Sequence, residues 1–101
     1  MENFLSDRQA RYEYFLSHIK DESFSPLFKH DDRWISIDYC IVKIGKRYNL
    51  IELQTGKSLR WYKLFKLAKD NLIELQSRKV SWINSKTLID LNGNLNPILL
   101  L

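Results

Sequence analysis

The sequence predicts an α+β fold: an N-terminal helix packed on an antiparallel sheet of hairpins, with a short basic helix near residues 59–69. Three observations predict it. Tyr12, Phe15, Leu16 and Ile19 form an apolar stripe at helical spacing. From Trp34 onward the chain turns rich in β-branched and aromatic residues. Short apolar runs then meet turn-forming pairs at Gly45-Lys46, Thr55-Gly56 and Asn92-Gly93.

The helix is expected over residues 7–20. Ser6-Asp7-Arg8-Gln9 reads as a capping box, and Asp7 complements the positive end of the helix dipole. Residues 21–33 look irregular, because Ser23, Ser25, Pro26 and His30-Asp31-Asp32 break any period. Phe24, Leu27 and Phe28 are expected to pin this segment to the core. Trp34, Ile35, Ile37, Tyr39, Cys40, Ile41, Val42 and Ile44 then read as strand.

An internal repeat follows. Asn49-Leu50-Ile51-Glu52-Leu53-Gln54 returns, residue for residue, as Asn71-Leu72-Ile73-Glu74-Leu75-Gln76. Each copy precedes a hydroxyl residue, a lysine and an apolar stretch with a tryptophan. Leu88-Ile89-Asp90-Leu91 before Asn92-Gly93 is a third echo. The pattern suggests repeated hairpins, though a solenoid would need at least about three stacked units. Between the copies, Trp61, Leu64, Phe65, Ala68 and Leu72 fall at helical spacing, and Asn71 is a candidate end of that helix. In the alternative, residues 59–62 complete a hairpin and only residues 63–69 are helical.

The chain is expected to be a single domain over residues 1–101, with 45% hydrophobic residues supplying a core. One cysteine, Cys40, excludes a disulfide framework within it. No signal-peptide pattern opens the sequence, and the apolar stretch Pro97-Ile98-Leu99-Leu100-Leu101 is far short of a membrane span. A cytoplasmic protein that binds no membrane is expected. The tail is either a last core strand or an exposed partner-binding patch.

Charge is unevenly placed. Residues 1–42 carry five basic and eight acidic side chains, and residues 70–101 carry three of each. Residues 43–69 carry eight basic residues, Lys43, Lys46, Arg47, Lys57, Arg60, Lys63, Lys66 and Lys69, against Glu52 alone. Cations in that number neutralise phosphates, and the interleaved Trp61 and Tyr62 offer faces on which unpaired bases stack. The competing reading is a solvated helix face over a buried aromatic stripe. Such faces usually mix charge signs, which this stretch does not.

Catalytic and metal-binding patterns are weak. His18 and His30 with Asp31 and Asp32 match no zinc spacing. Cys40 lies among apolar neighbours and reads as an inert thiol. Thr55-Gly56-Lys57-Ser58 lacks the first glycine of a phosphate-binding loop, because position 51 is Ile. The expectation is a non-enzymatic protein with no cofactor and no metal.

Gly56-Lys57-Ser58, Trp61-Tyr62 with Leu64, and Val80-Ser81-Trp82 ahead of the apolar run 88–91 resemble the pattern of a small bacterial β-rich family of uncharacterised proteins. The acidic cluster that family carries after the second tryptophan is replaced here by Ser85 and Lys86. The resemblance covers residues 55–95 and implies a compact α+β fold without an established activity. Residues 59–83 also resemble winged-helix, excisionase-like DNA binders. That resemblance implies a recognition helix over residues 59–72 and a wing over 76–83, but the preceding segment lacks a clear first helix. The leading expectation is therefore a small accessory or regulatory protein binding nucleic acid through Lys43, Lys46, Arg47, Lys57, Arg60, Trp61, Tyr62, Lys63, Lys66 and Lys69. The alternative is an inhibitor module, of the antitoxin, immunity or anti-defence type, docking the acidic surface of a larger enzyme or nucleoprotein.

Overall fold

A computed structural model describes residues 7–18, 23–84, 87–90 and 95–97 of the chain. It shows an N-terminal helix, an antiparallel sheet and a second helix, an α+β arrangement. Helix α1 (Arg8–His18) leads into strands β1 (Phe28–His30), β2 (Arg33–Ile35), β3 (Tyr39–Ile44), β4 (Arg47–Glu52) and β5 (Ser58–Tyr62). Helix α2 (Phe65–Ser77) follows, then β6 (Val80–Asn84), β7 (Thr87–Asp90) and β8 (Leu95–Pro97). The first five strands form one antiparallel sheet in sequence order, and the last three form a second.

Asp7 caps α1: its Oδ1 accepts the Gln9 N–H at 3.0 Å, satisfying an end donor that the helix itself leaves open. The capping-box partner Ser6 and the last two residues of the expected helix lie outside the described residues. Gly45, at φ +63°, begins the two-residue β3–β4 turn, a conformation a side chain would oppose.

Register explains the two cores. Along β3, Cys40 and Val42 face one side of the sheet while Tyr39 and Ile41 face the other. On the first side, Tyr12 and Phe15 of α1 pack with Ile35, Ile37, Cys40 and Val80. On the second, Ala68 and Leu72 of α2 pack with Tyr39, Ile41 and Leu50. A sheet covered on both faces reads as a run of apolar residues rather than a strict alternation, as residues 39–42 do.

Three expectations are corrected. The sheet begins earlier than Trp34: β1 and β2 pair through Phe28↔Ile35 and His30↔Arg33 across a turn at Asp31-Asp32. Asp31 supplies that turn with φ +53°, a conformation aspartate tolerates better than most residues. Strands of three residues are too short for alternation to mark them.

The second helix is present but lies later than expected, overlapping 59–69 only from Phe65 and running on to Ser77, and residues 59–62 complete a hairpin as in the alternative reading. Residues 59–62 belong to β5, paired to β4 through Tyr48↔Tyr62, Asn49↔Trp61 and Leu50↔Arg60, and the helix starts at Phe65. Tyr and Trp suit a pleated edge, and the pairing with β4 outweighs the helical spacing of Trp61 with later residues.

The six-residue repeat is not a structural repeat. Its first copy enters β4 and its second lies inside α2. Asn71 does not end the helix; its Nδ2 donates back to the Leu67 carbonyl at 2.9 Å. The Asn92-Gly93 turn and the tail at 98–101 lie outside the described residues.

Candidate functional site

The cations of the central segment do not all gather on one surface. The β1–β2 turn, the β3–β4 turn and the C-terminal end of β5 lie at the same end of the sheet, as the row Lys43↔Tyr48↔Tyr62 requires. Lys43, Lys46, Arg47 and Lys63 are all exposed at that end. Lys57 lies at the opposite end, where its carbonyl accepts the Glu52 N–H at 2.9 Å. Arg60 is on the helix-covered face, with its guanidinium 5.6 Å from the centre of the half-buried Tyr62 ring. Lys66 and Lys69 are carried by α2, and Lys66 Nζ lies 3.1 Å from Asp70 Oδ2. Among the described residues, the other seven cations of the segment form no ion pair.

The first face of the sheet is only partly covered by α1. Beyond the helix, register aligns His30, Arg33, Val42, Asn49 and Trp61 in one row, one residue from each strand. At about 4.8 Å between strands, this row is about 19 Å long. Arg47 and Ile44 form a partial second row towards the turn. Trp61 is 47% exposed and Ile44 53% exposed, against 4% for Asn49. Arg33 and Arg47 are exposed and Val42 is half-buried. Val42 and Asn49 thus form a floor between raised aromatic and guanidinium groups. The Asn49 amide is already committed, with Nδ2 donating to Ser58 Oγ at 2.6 Å and to the Arg60 carbonyl at 3.1 Å.

Two members of this surface, His30 and Arg33, escaped the sequence reading because they belong to the acidic first part of the chain. The signal that finds them is the short hairpin around Asp31-Asp32. Arg33, Lys43, Lys46, Arg47 and Lys63 outnumber Asp31 and Asp32 at this end, and His30 Nε2 lies 3.7 Å from Asp31 Oδ2.

Other polar concentrations serve the fold. Asp38, in the β2–β3 connection, accepts from Arg8 Nε at 2.7 Å and from Gln76 Nε2 at 2.6 Å. Arg11 Nε donates to the Ile37 carbonyl at 2.7 Å. Burial lowers the Arg11 pKa, and the charge of Asp38 opposes that shift. A cavity of about 310 Å³ beside them is lined by Arg8, Arg11, Asp38, Leu53 and Gln54. A second cleft of about 360 Å³ lies between β5 and α2, with Leu50 and Leu75 below Arg60, Glu74 and Arg78. Glu74 and Arg78 close on each other at 2.8 Å.

Burial pushes the Cys40 thiol pKa up, with the Arg33 and Arg11 charges pulling weakly the other way, so the thiolate is disfavoured. Among the described residues, no group of three His, Cys, Asp or Glu side chains is gathered as a metal site requires, and no helix is long and apolar enough to cross a membrane. Comparison with protein-family models, with curated proteins and with solved structures returns no match.

Proposed function

We propose that this protein binds nucleic acid through the open half of the α1-side sheet face and the adjoining β3–β4 turn. The observation that carries the proposal is the half-exposed Trp61 ring sharing a sheet face with exposed Arg33 and Arg47, which form no ion pair among the described residues. Guanidinium and ammonium groups neutralise phosphates and release their counterions, and an indole face stacks on a base. Lys43, Lys46 and Lys63 extend the positive field at the turn end. Lys57 and Lys66 stand outside the proposed interface, the first by position and the second by its pairing with Asp70.

Filter binding to random-sequence oligonucleotides across a salt series tests the proposal. Affinity should fall steeply as salt rises. The double reversal Lys46→Glu with Arg47→Glu should abolish binding, whereas Lys66→Glu should leave it nearly unchanged. Undetectable binding at low salt, or equal losses from both variants, overturns the proposal.

A second reading, a protein-docking module, draws on the β5–α2 side. There Leu59, Leu64 and Leu67 are 38%, 61% and 48% exposed beside Lys63 and Arg60. Exposed apolar groups with a cationic rim suit an acidic protein surface. A single stoichiometric protein retained after nuclease treatment, and lost with Leu64→Asp, would favour this reading.

A further inference from the structure

We infer that the nucleic acid bound here is single-stranded, its unpaired bases stacking on Trp61 and His30. The inference rests on the nucleic-acid reading above and specifies its ligand. Trp61 and His30 stand at opposite ends of the one-residue-per-strand row, about 19 Å apart. Both rings are reachable: Trp61 is 47% exposed and the His30 side chain 44%. Arg33 and Arg47 lie between and beside them on the same face, placed to follow a backbone from one ring to the other. In a duplex each base is covered above and below by its neighbours, so a ring on a sheet reaches a base face only when the strand is unpaired.

Neither helix is suited to duplex grooves. The inward side of α2 is occupied by Ala68, Leu72 and Gln76 against the protein core. Its exposed side carries Lys66, Asp70 and Glu74, with Lys66 paired to Asp70 and Glu74 to Arg78, so it presents no run of free cations to a groove. The exposed side of α1 offers Gln9, Glu13 and Ser17, with no lysine or arginine among them. The Asn49 amide nitrogen in the floor spends both its protons within the protein, so it has no donor left to read base edges. Sequence-tolerant binding follows.

Fluorescence anisotropy with labelled oligothymidylate, oligouridylate and a mixed-sequence duplex of equal length tests this at one low salt concentration. Either single strand should bind at least about tenfold tighter than the duplex. Trp61→Ala should weaken single-strand binding by roughly five- to a hundredfold, the loss of about one stacked base, and leave duplex binding unchanged. Thermal melting of the variant checks that it is folded, and His30→Ala provides an independent second loss. Duplex binding as tight as single-strand binding, or single-strand affinity indifferent to both substitutions, overturns the inference while leaving the nucleic-acid reading in place. Absence of binding to all three probes overturns both.

Discussion

Asp38 and Gln76 are joined by two hydrogen bonds running in opposite directions. The Asp38 N–H donates to Gln76 Oε1 at 2.7 Å, and Gln76 Nε2 donates to Asp38 Oδ2 at 2.6 Å. Gln76 is fully buried, and the Asp38 carboxylate also takes Arg8 Nε. The pair ties the end of α2 to the β2–β3 connection, 38 residues away in sequence, and holds a buried charge that would otherwise be costly.

Gln76→Ala should therefore destabilise the protein by about 2–4 kcal/mol, combining the loss of a bond to a carboxylate, an orphaned backbone N–H and a small cavity. Glu74→Ala, two residues earlier, removes only an exposed ion pair with Arg78 and should cost less than about 1 kcal/mol. Urea unfolding midpoints measure both. Equal costs would mean that the buried pair does not hold α2 in place.

The same amino-acid substitution in the two copies of the repeated hexapeptide should act with different sign. Asn49 is 4% exposed and bonds Ser58 Oγ and the Arg60 carbonyl, bridging β4 to β5. Asn49→Ala should cost about 1–3 kcal/mol by leaving those groups short of a donor. Asn71 only bonds back to Leu67 within its own helix. Asn71→Ala gains helix propensity of up to about 0.7 kcal/mol and should be neutral or stabilising. Parallel losses in the two variants would contradict the assignment of one copy to a strand and the other to a helix.

That hexapeptide also marks where the sequence was legible. The helix at 8–18, the strand through residues 39–44 and the turn at Gly45-Lys46 followed from local pattern alone, because spacing, propensity and turn chemistry agreed. The two hexapeptide copies carry identical local information, so only their surroundings separate them. The first follows a tight hairpin turn and pairs with β3, burying Asn49 and Leu50 on opposite faces. The second follows Lys66-Leu67-Ala68-Lys69, which are strong helix formers, and buries Leu72 and Gln76 four residues apart on one face. The cationic surface was legible in part. Charge counting found Arg47 and Trp61, but the row that joins them to Arg33 and His30 depends on strand register, which composition does not contain.

Cys40 should give the protein a specific alkaline weakness. Desolvation raises its pKa in the folded state above the ordinary thiol value of about 8.5. The unfolded chain then releases its thiol proton first as pH rises. The contribution of the neutral, buried thiol is fully present below the ordinary thiol pKa. It is lost progressively above that value, up to the folded pKa. Cys40→Ala removes this slope while adding a pH-independent packing cost of about 1 kcal/mol. Unfolding free energies of the two proteins should therefore converge between about pH 8 and pH 10. A constant gap across that range would show that the folded thiol ionises as readily as the unfolded one.

Trp34 and Trp61 should separate stability from binding. The Trp34 ring centre lies 4.6 Å from that of Phe65 and 6.0 Å from that of Tyr48, with Lys29 Nζ 5.5 Å from the ring centre. It fastens the start of α2 to the sheet, so Trp34→Ala should cost about 2–4 kcal/mol through lost aromatic contacts and a cavity. Trp61, half exposed on an edge strand, stands opposite Asn49 in the strand register and belongs to neither core cluster. Trp61→Ala should cost no more than about 1 kcal/mol. Chemical denaturation of both variants, followed by circular dichroism, measures the difference. A large loss at Trp61 would place its ring among structural contacts and remove its availability for a base.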